Sequence, residues 1–220
     1  MIERRRFMAM LGTLGLGALL PRQAISKERI QNYYPHLLAV LEQRERKSGF
    51  NMTLREKENL RYACERINPE NHEELAFVVA VGPKWVLCND LVDEYVRRRA
   101  GQKPLIADSA LLSLDKWAVP DTHRIPIYRE QLVVLLCDLL DVSKRDAEVH
   151  FRLYLKSEAG VAVNLPPLGS VASVKYKKHL TAEEFERLEQ LIRFCGPRSM
   201  PYTYCSTIAC LAEKLMKENT

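Results

Sequence analysis

The chain has 220 residues, 47% of them hydrophobic, with 33 Lys and Arg against 28 Asp and Glu, a formal charge of +5. That length supports one domain, or two small ones, with a sizeable core. Arg4, Arg5, Arg6 and Arg22 against Glu3 account for +3 of the charge, leaving 29 basic and 27 acidic residues from position 25 onward. So even a balance excludes a general electrostatic case for nucleic acid or an anionic membrane as partner.

The N-terminus has the three parts of an export signal: basic Arg4-Arg5-Arg6, an apolar stretch over 7–20, and a short polar piece ending at Ala24. An α-helix over that stretch rises roughly 21 Å, short of the roughly 30 Å hydrocarbon core, so a stable membrane span is the weaker reading. Arg4-Arg5-Arg6-Phe7-Met8 resembles the twin-arginine export signal, with Glu3 in place of the usual Ser or Thr. Ala24 suits the residue before a cleavage point, whereas Arg22 is large where a small residue is preferred. The resemblance implies transport by the twin-arginine (Tat) translocase and a periplasmic location, membrane-tethered if the signal stays uncleaved. The alternative is an ordinary amphipathic or buried N-terminal helix.

Beyond the signal the apolar spacing predicts a mainly α multi-helix bundle of about eight to nine helices, with one short β-hairpin near 161–178. A first helix spans 27–48, with Pro35 placed to kink or split it. Thr53 and Glu56 form a capping box for a second, ended by Asn68-Pro69. A third helix starts at Pro69 with an acidic first turn and becomes uniformly apolar from Leu75 to Val81, which places it at the centre of the core. Gly82-Pro83 stops it. Further helices are read over 84–100, which ends in Arg97-Arg98-Arg99, over 108–118, and over 127–140. A turn at Asp141-Val142-Ser143 leads into a helix over 144–157. Alternation across a Pro/Gly turn gives the hairpin. Thr181 with Glu184 caps a helix reaching Cys195, and a last helix covers 201–217. The turn-rich stretch 119–126 separates a helical region over 25–118 from one over 127–220, unless both belong to one continuous domain.

No residue set announces catalysis. Ser113-Leu114-Asp115-Lys116 fits a serine-acylase spacing, but the Lys-Thr-Gly and Ser-Asp-Asn elements that such a serine needs are missing. The histidines (His36, His72, His123, His150, His179) are dispersed, and no metal-ligand spacing appears. His72-Glu73-Glu74 reads as a helix start complementing the dipole. No Gly-rich loop follows a strand, so no nucleotide or other cofactor is expected. The six cysteines contain no CxxC pair and mostly lie on apolar faces, as small hydrophobes. The best candidate disulfide joins Cys195 to Cys205 or Cys210 across the Gly196-Pro197 bend. Tyr202 and Tyr204 read as core residues, with a recognition edge as the alternative.

Residues 136–151 resemble a helix-turn-helix. Ser143 to Glu148 with the downstream basic stretch is similar to the start of the HU-type family of DNA-bending proteins, although its long basic arm is missing. That resemblance implies DNA contacts from Lys144, Arg145, Arg152 and Lys156, opposed by Asp146 and Glu148, which repel phosphate. The stretch Thr53 to Leu60, continuing to Pro69, looks slightly like the start of the helical domain in small Tat-signal subunits of membrane dehydrogenase complexes.

The leading expectation is a Tat-exported periplasmic helical protein of accessory or binding role, with a protein partner in the envelope and no nucleic acid. Two alternatives stand: a DNA-binding protein using 127–178, and an envelope hydrolase with a Ser or Cys nucleophile.

Overall fold

The computed structural model describes residues 27–49, 51–82, 88–102, 122–123, 125–158, 168–172, 180–196 and 199–218. The export-signal residues Arg4, Arg5, Phe7 and Ala24, the helix expected over 108–118 and Ser113 lie outside them. The chain is mainly helical. In order come α1 (Lys27–Lys47), α2 (Leu54–Ile67), α3 (His72–Val81), α4 (Cys88–Arg99), α5 (Arg129–Leu140), α6 (Lys144–Glu158), the single turn α7 (Leu168–Val171), α8 (Ala182–Cys195) and α9 (Tyr202–Glu218).

The termini follow from local chemistry. Thr53 Oγ1 accepts from the Glu56 amide and the Glu56 carboxylate accepts from the Thr53 amide, so the predicted capping box opens α2. Asn68 closes it in the left-handed conformation, at φ 47°. The third helix begins at His72 rather than Pro69, because Asn71 Oδ1 accepts from the Glu74 amide and takes the N-cap. Pro35 leaves α1 unbroken. It lies exposed, where water can take up the carbonyl whose amide partner a proline removes. Ser143 Oγ accepts from the Asp146 amide and caps α6. Asp141 takes φ 55°, the positive value expected of that turn position.

Within the expected hairpin, Leu168–Val171 form a helical turn, so Val171 is helical where the second strand is expected to start. Gly169 abuts Phe185 of α8, and the turn packs on α8 through this contact, while Val171 is exposed. Residues 161–167 and 173–178 lie outside the described residues. The one β-type contact described is an isolated parallel bridge between Tyr128 and Met200.

The core is organised around α3. Every residue from Glu74 to Val81 is buried, and the helix packs against α2, α4 and α9. Burying side chains such as Leu75, Phe77 and Val79 stabilises by about 1.5–3 kcal/mol each. The ring of Phe77 stacks on that of Tyr95 in α4, with centroids 4.0 Å apart. C-terminal α9 covers both α1 and α3, so residues from the two ends of the chain share one core.

Arg97, Arg98 and Arg99 do more than complement the α4 dipole. Arg98 is buried, pairing with Glu94 at 2.7 Å and donating to the His123 carbonyl. Arg99 donates to Glu74 at the start of α3 and to the Ile67 carbonyl at the end of α2. One guanidinium therefore ties the ends of three helices, a role suited to its rigid fork of donors.

Candidate functional site

The most chemically suggestive contact joins the start of α3 to the middle of α9. Asn71 fixes His72 at the first helical position, and the imidazole reaches across to α9. His72 Nε2 lies 2.8 Å from Ser206 Oγ, and Nδ1 lies 3.3 Å from Glu213 Oε2. Ser206 and Glu213 are seven residues apart, two turns of helix, so they share the α9 face that borders α3. With the ring proton on Nδ1, His72 donates to the Glu213 carboxylate and Nε2 accepts from the Ser206 hydroxyl. The His72 and Glu213 side chains are 31% and 28% exposed, so the group is open to small solutes.

The N-terminus of α9 is anchored by its neighbour α5. The Tyr202 amide donates to Glu130 Oε2 at 3.0 Å, which places a carboxylate at the positive end of α9. The Arg129 amide donates to the Met200 carbonyl on the adjoining chain. Below this junction Tyr128 is buried, and its hydroxyl has no hydrogen-bond partner among the described residues. Burial pushes that phenol well above its ordinary range, and the nearby Cys205 adds to the shift. Tyr202 packs edge-on against Tyr128 with centroids 5.2 Å apart, and Arg44 lies 5.5 Å over the Tyr204 ring. Both tyrosines thus serve packing between elements.

No protein-family model matches the chain, and no curated protein matches it.

Among the sequence-predicted residues, Cys205 is a buried free thiol and Cys210 an exposed free thiol, both on α9. Burial raises Cys205 from its ordinary 9.0 to about 12, which leaves it protonated and unreactive at neutral pH. Cys195 ends α8, and its side chain lies outside the described residues. Lys144, Arg145, Arg152 and Lys156 are all exposed on α6. Arg145, Val149, Arg152 and Lys156 recur at spacings of four, three and four, forming a row along the outer face of that helix. The buried face of α6, built on Ala147, Phe151 and Tyr154, points the other way, into the core. Among the described residues no group of three or more His, Cys, Asp or Glu could hold a metal ion, and no helix is long and apolar enough to cross a membrane.

The sequence reading missed the Ser206–His72–Glu213 group. His72 precedes Ser206 by 134 positions, and no local motif connects them. The one available signal was the seven-residue spacing of Ser206 and Glu213 on a predicted helix.

Proposed function

We propose that this chain is a Tat-exported helical protein of the envelope with an accessory or binding role. The observation that carries the reading is the N-terminal run Arg4-Arg5-Arg6-Phe7-Met8, its apolar extension to Leu20 and the small residue Ala24. That transport route accepts chains already folded. The continuous core running from α1 to α9 supports the reading, because a body of that kind folds as a unit. A partner-binding role draws support from α6, whose outer row of Arg145, Arg152 and Lys156 surrounds Val149, itself 51% exposed. Such a row suits a partner surface that is acidic with a small apolar contact.

A reporter active only in the periplasm, fused after Ala24, tests the export step. Activity is expected to vanish when Arg4 and Arg5 are both replaced by Lys. A silent wild-type fusion, or one indifferent to the two substitutions, sinks the proposal.

A second reading uses the same face of α6 for DNA. The helical pair α5–α6, joined through Asp141 in the left-handed conformation, exposes Lys144, Arg145, Arg152 and Lys156 together. Phosphate contacts by these four would give duplex binding that weakens steeply with salt. Binding of that kind, lost in Arg145→Glu/Arg152→Glu, would replace the accessory reading.

A further inference from the structure

We propose that Ser206, His72 and Glu213 form a nucleophilic hydrolase site that acts on small carboxylic esters. The argument begins with geometry. Ser206 Oγ at 2.8 Å from His72 Nε2 is within reach for proton transfer, and Glu213 engages the opposite ring nitrogen at 3.3 Å. A nucleophile, a base and a carboxylate that orients the base, in that sequence of contacts, define this chemistry on unrelated folds irrespective of chain order.

The supporting frame holds the three groups from two directions. The Asn71 cap and the buried run Glu74 to Val81 hold the α3 backbone at His72. Ser206 and Glu213 stand on α9, whose Cys205, Ile208, Ala209 and Ala212 are locked in the core. Glu213 is a positioning residue, fixing the imidazole so that Nε2 faces the hydroxyl. The Glu74 amide is taken by Asn71, while the His72 and Glu73 amides in the first turn of α3 have no acceptor within their own helix.

The reaction balances on these groups and water. Ser206 Oγ bonds to the ester carbonyl carbon as its proton passes to His72 Nε2. The carbonyl electron pair moves onto oxygen. The C=O bond then re-forms and the alkoxide leaves, taking the proton from His72 to depart as an alcohol. Water attacks the acyl-serine, giving its proton to His72. Collapse of this second adduct breaks the Ser206–acyl bond, returns the proton to Oγ and releases the carboxylic acid. The partial exposure of His72 and Glu213 lets a small ester reach the group from solvent.

The test uses the purified full chain with 4-nitrophenyl acetate and, separately, a fluorophosphonate reagent with peptide mapping. Expected are hydrolysis above the buffer rate and phosphonylation at Ser206, both absent from heat-denatured chain. Ser206→Ala should abolish both. His72→Gln should lower kcat by about 100-fold or more. Glu213→Gln should lower kcat with KM little changed, a split that a purely structural role would not produce. Cys210→Ala, which removes the exposed thiol on the same helix, should leave the rate intact. Because the label is mapped on unsubstituted protein, the result does not depend on any variant folding. Absence of both hydrolysis and Ser206 label in folded wild type, or activity that survives Ser206→Ala, overturns the proposal. The assay is independent of export, so its failure leaves the location reading untouched.

Discussion

The hydroxyl of Tyr128 illustrates how a single residue can oppose the fold that surrounds it. The ring is fully buried and stacked edge-on with Tyr202, yet its oxygen has given up water without gaining a partner among the described residues. A buried polar group in that state costs about 1–3 kcal/mol. Tyr128→Phe keeps the ring and removes the cost, so it should raise stability by about 1 kcal/mol, read as a higher denaturant midpoint at unchanged slope. The nearby polar group Gln131 is the opposite case. Its side-chain oxygen accepts from the Ile127 and Tyr128 amides and its nitrogen donates to Thr122, so both ends of the buried amide have partners.

Among the elements, α3 sets the tightest constraint. It is apolar on every side and meets α2 so closely that the residue ending it has no room for a side chain. A Cβ on Gly82 would lie 2.8 Å from Leu60 Cδ1, 2.9 Å from the Val78 carbonyl oxygen and 3.1 Å from Leu60 Cα. The Leu60 methyl could turn aside, but the two backbone atoms cannot. Gly82→Ala should therefore destabilise the protein by about 1–3 kcal/mol, visible as a lowered melting temperature with unchanged helical content below the transition. A merely helix-stabilising outcome, the usual result of Gly→Ala in a helix, would contradict this packing. The uniform apolar run made α3 recognisable as central, but nothing in its own residues named Leu60 as the obstacle.

At the scale of the whole molecule, α9 interlocks the two regions that a turn-rich stretch separates in sequence. It covers α1 and α3 from the first region, and its N-terminus is held by Glu130 from the second. Calorimetry of the chain should accordingly give one cooperative transition, with calorimetric and van't Hoff enthalpies in agreement. Two resolved transitions would mean that residues 25–118 and 127–220 fold as separate domains.

The helices, most of their caps and the central place of α3 were legible from the sequence. These depend on interactions within a few positions: an apolar period, Thr53 with Glu56, Ser143 ahead of Asp146. The start of α3 was misplaced because two local signals competed, and Asn71 supplies a hydrogen bond that Pro69 does not. Val171 is helical where a strand is expected to start, because the turn packs on α8 through Gly169 and Phe185, a contact that no local signal shows. The roles of Arg98 and Arg99, the Glu130 cap on α9 and the meeting of His72 with Ser206 and Glu213 belong to the tertiary structure alone. Each joins side chains on different elements, many positions apart, and only the packing of α3 against α4 and α9 brings them within hydrogen-bond reach. The sequence by itself determined the helical body and the signal-like N-terminus, because both are written in local periodicity and charge. Which polar groups converge was decided by the fold, because convergence is a property of distance in space.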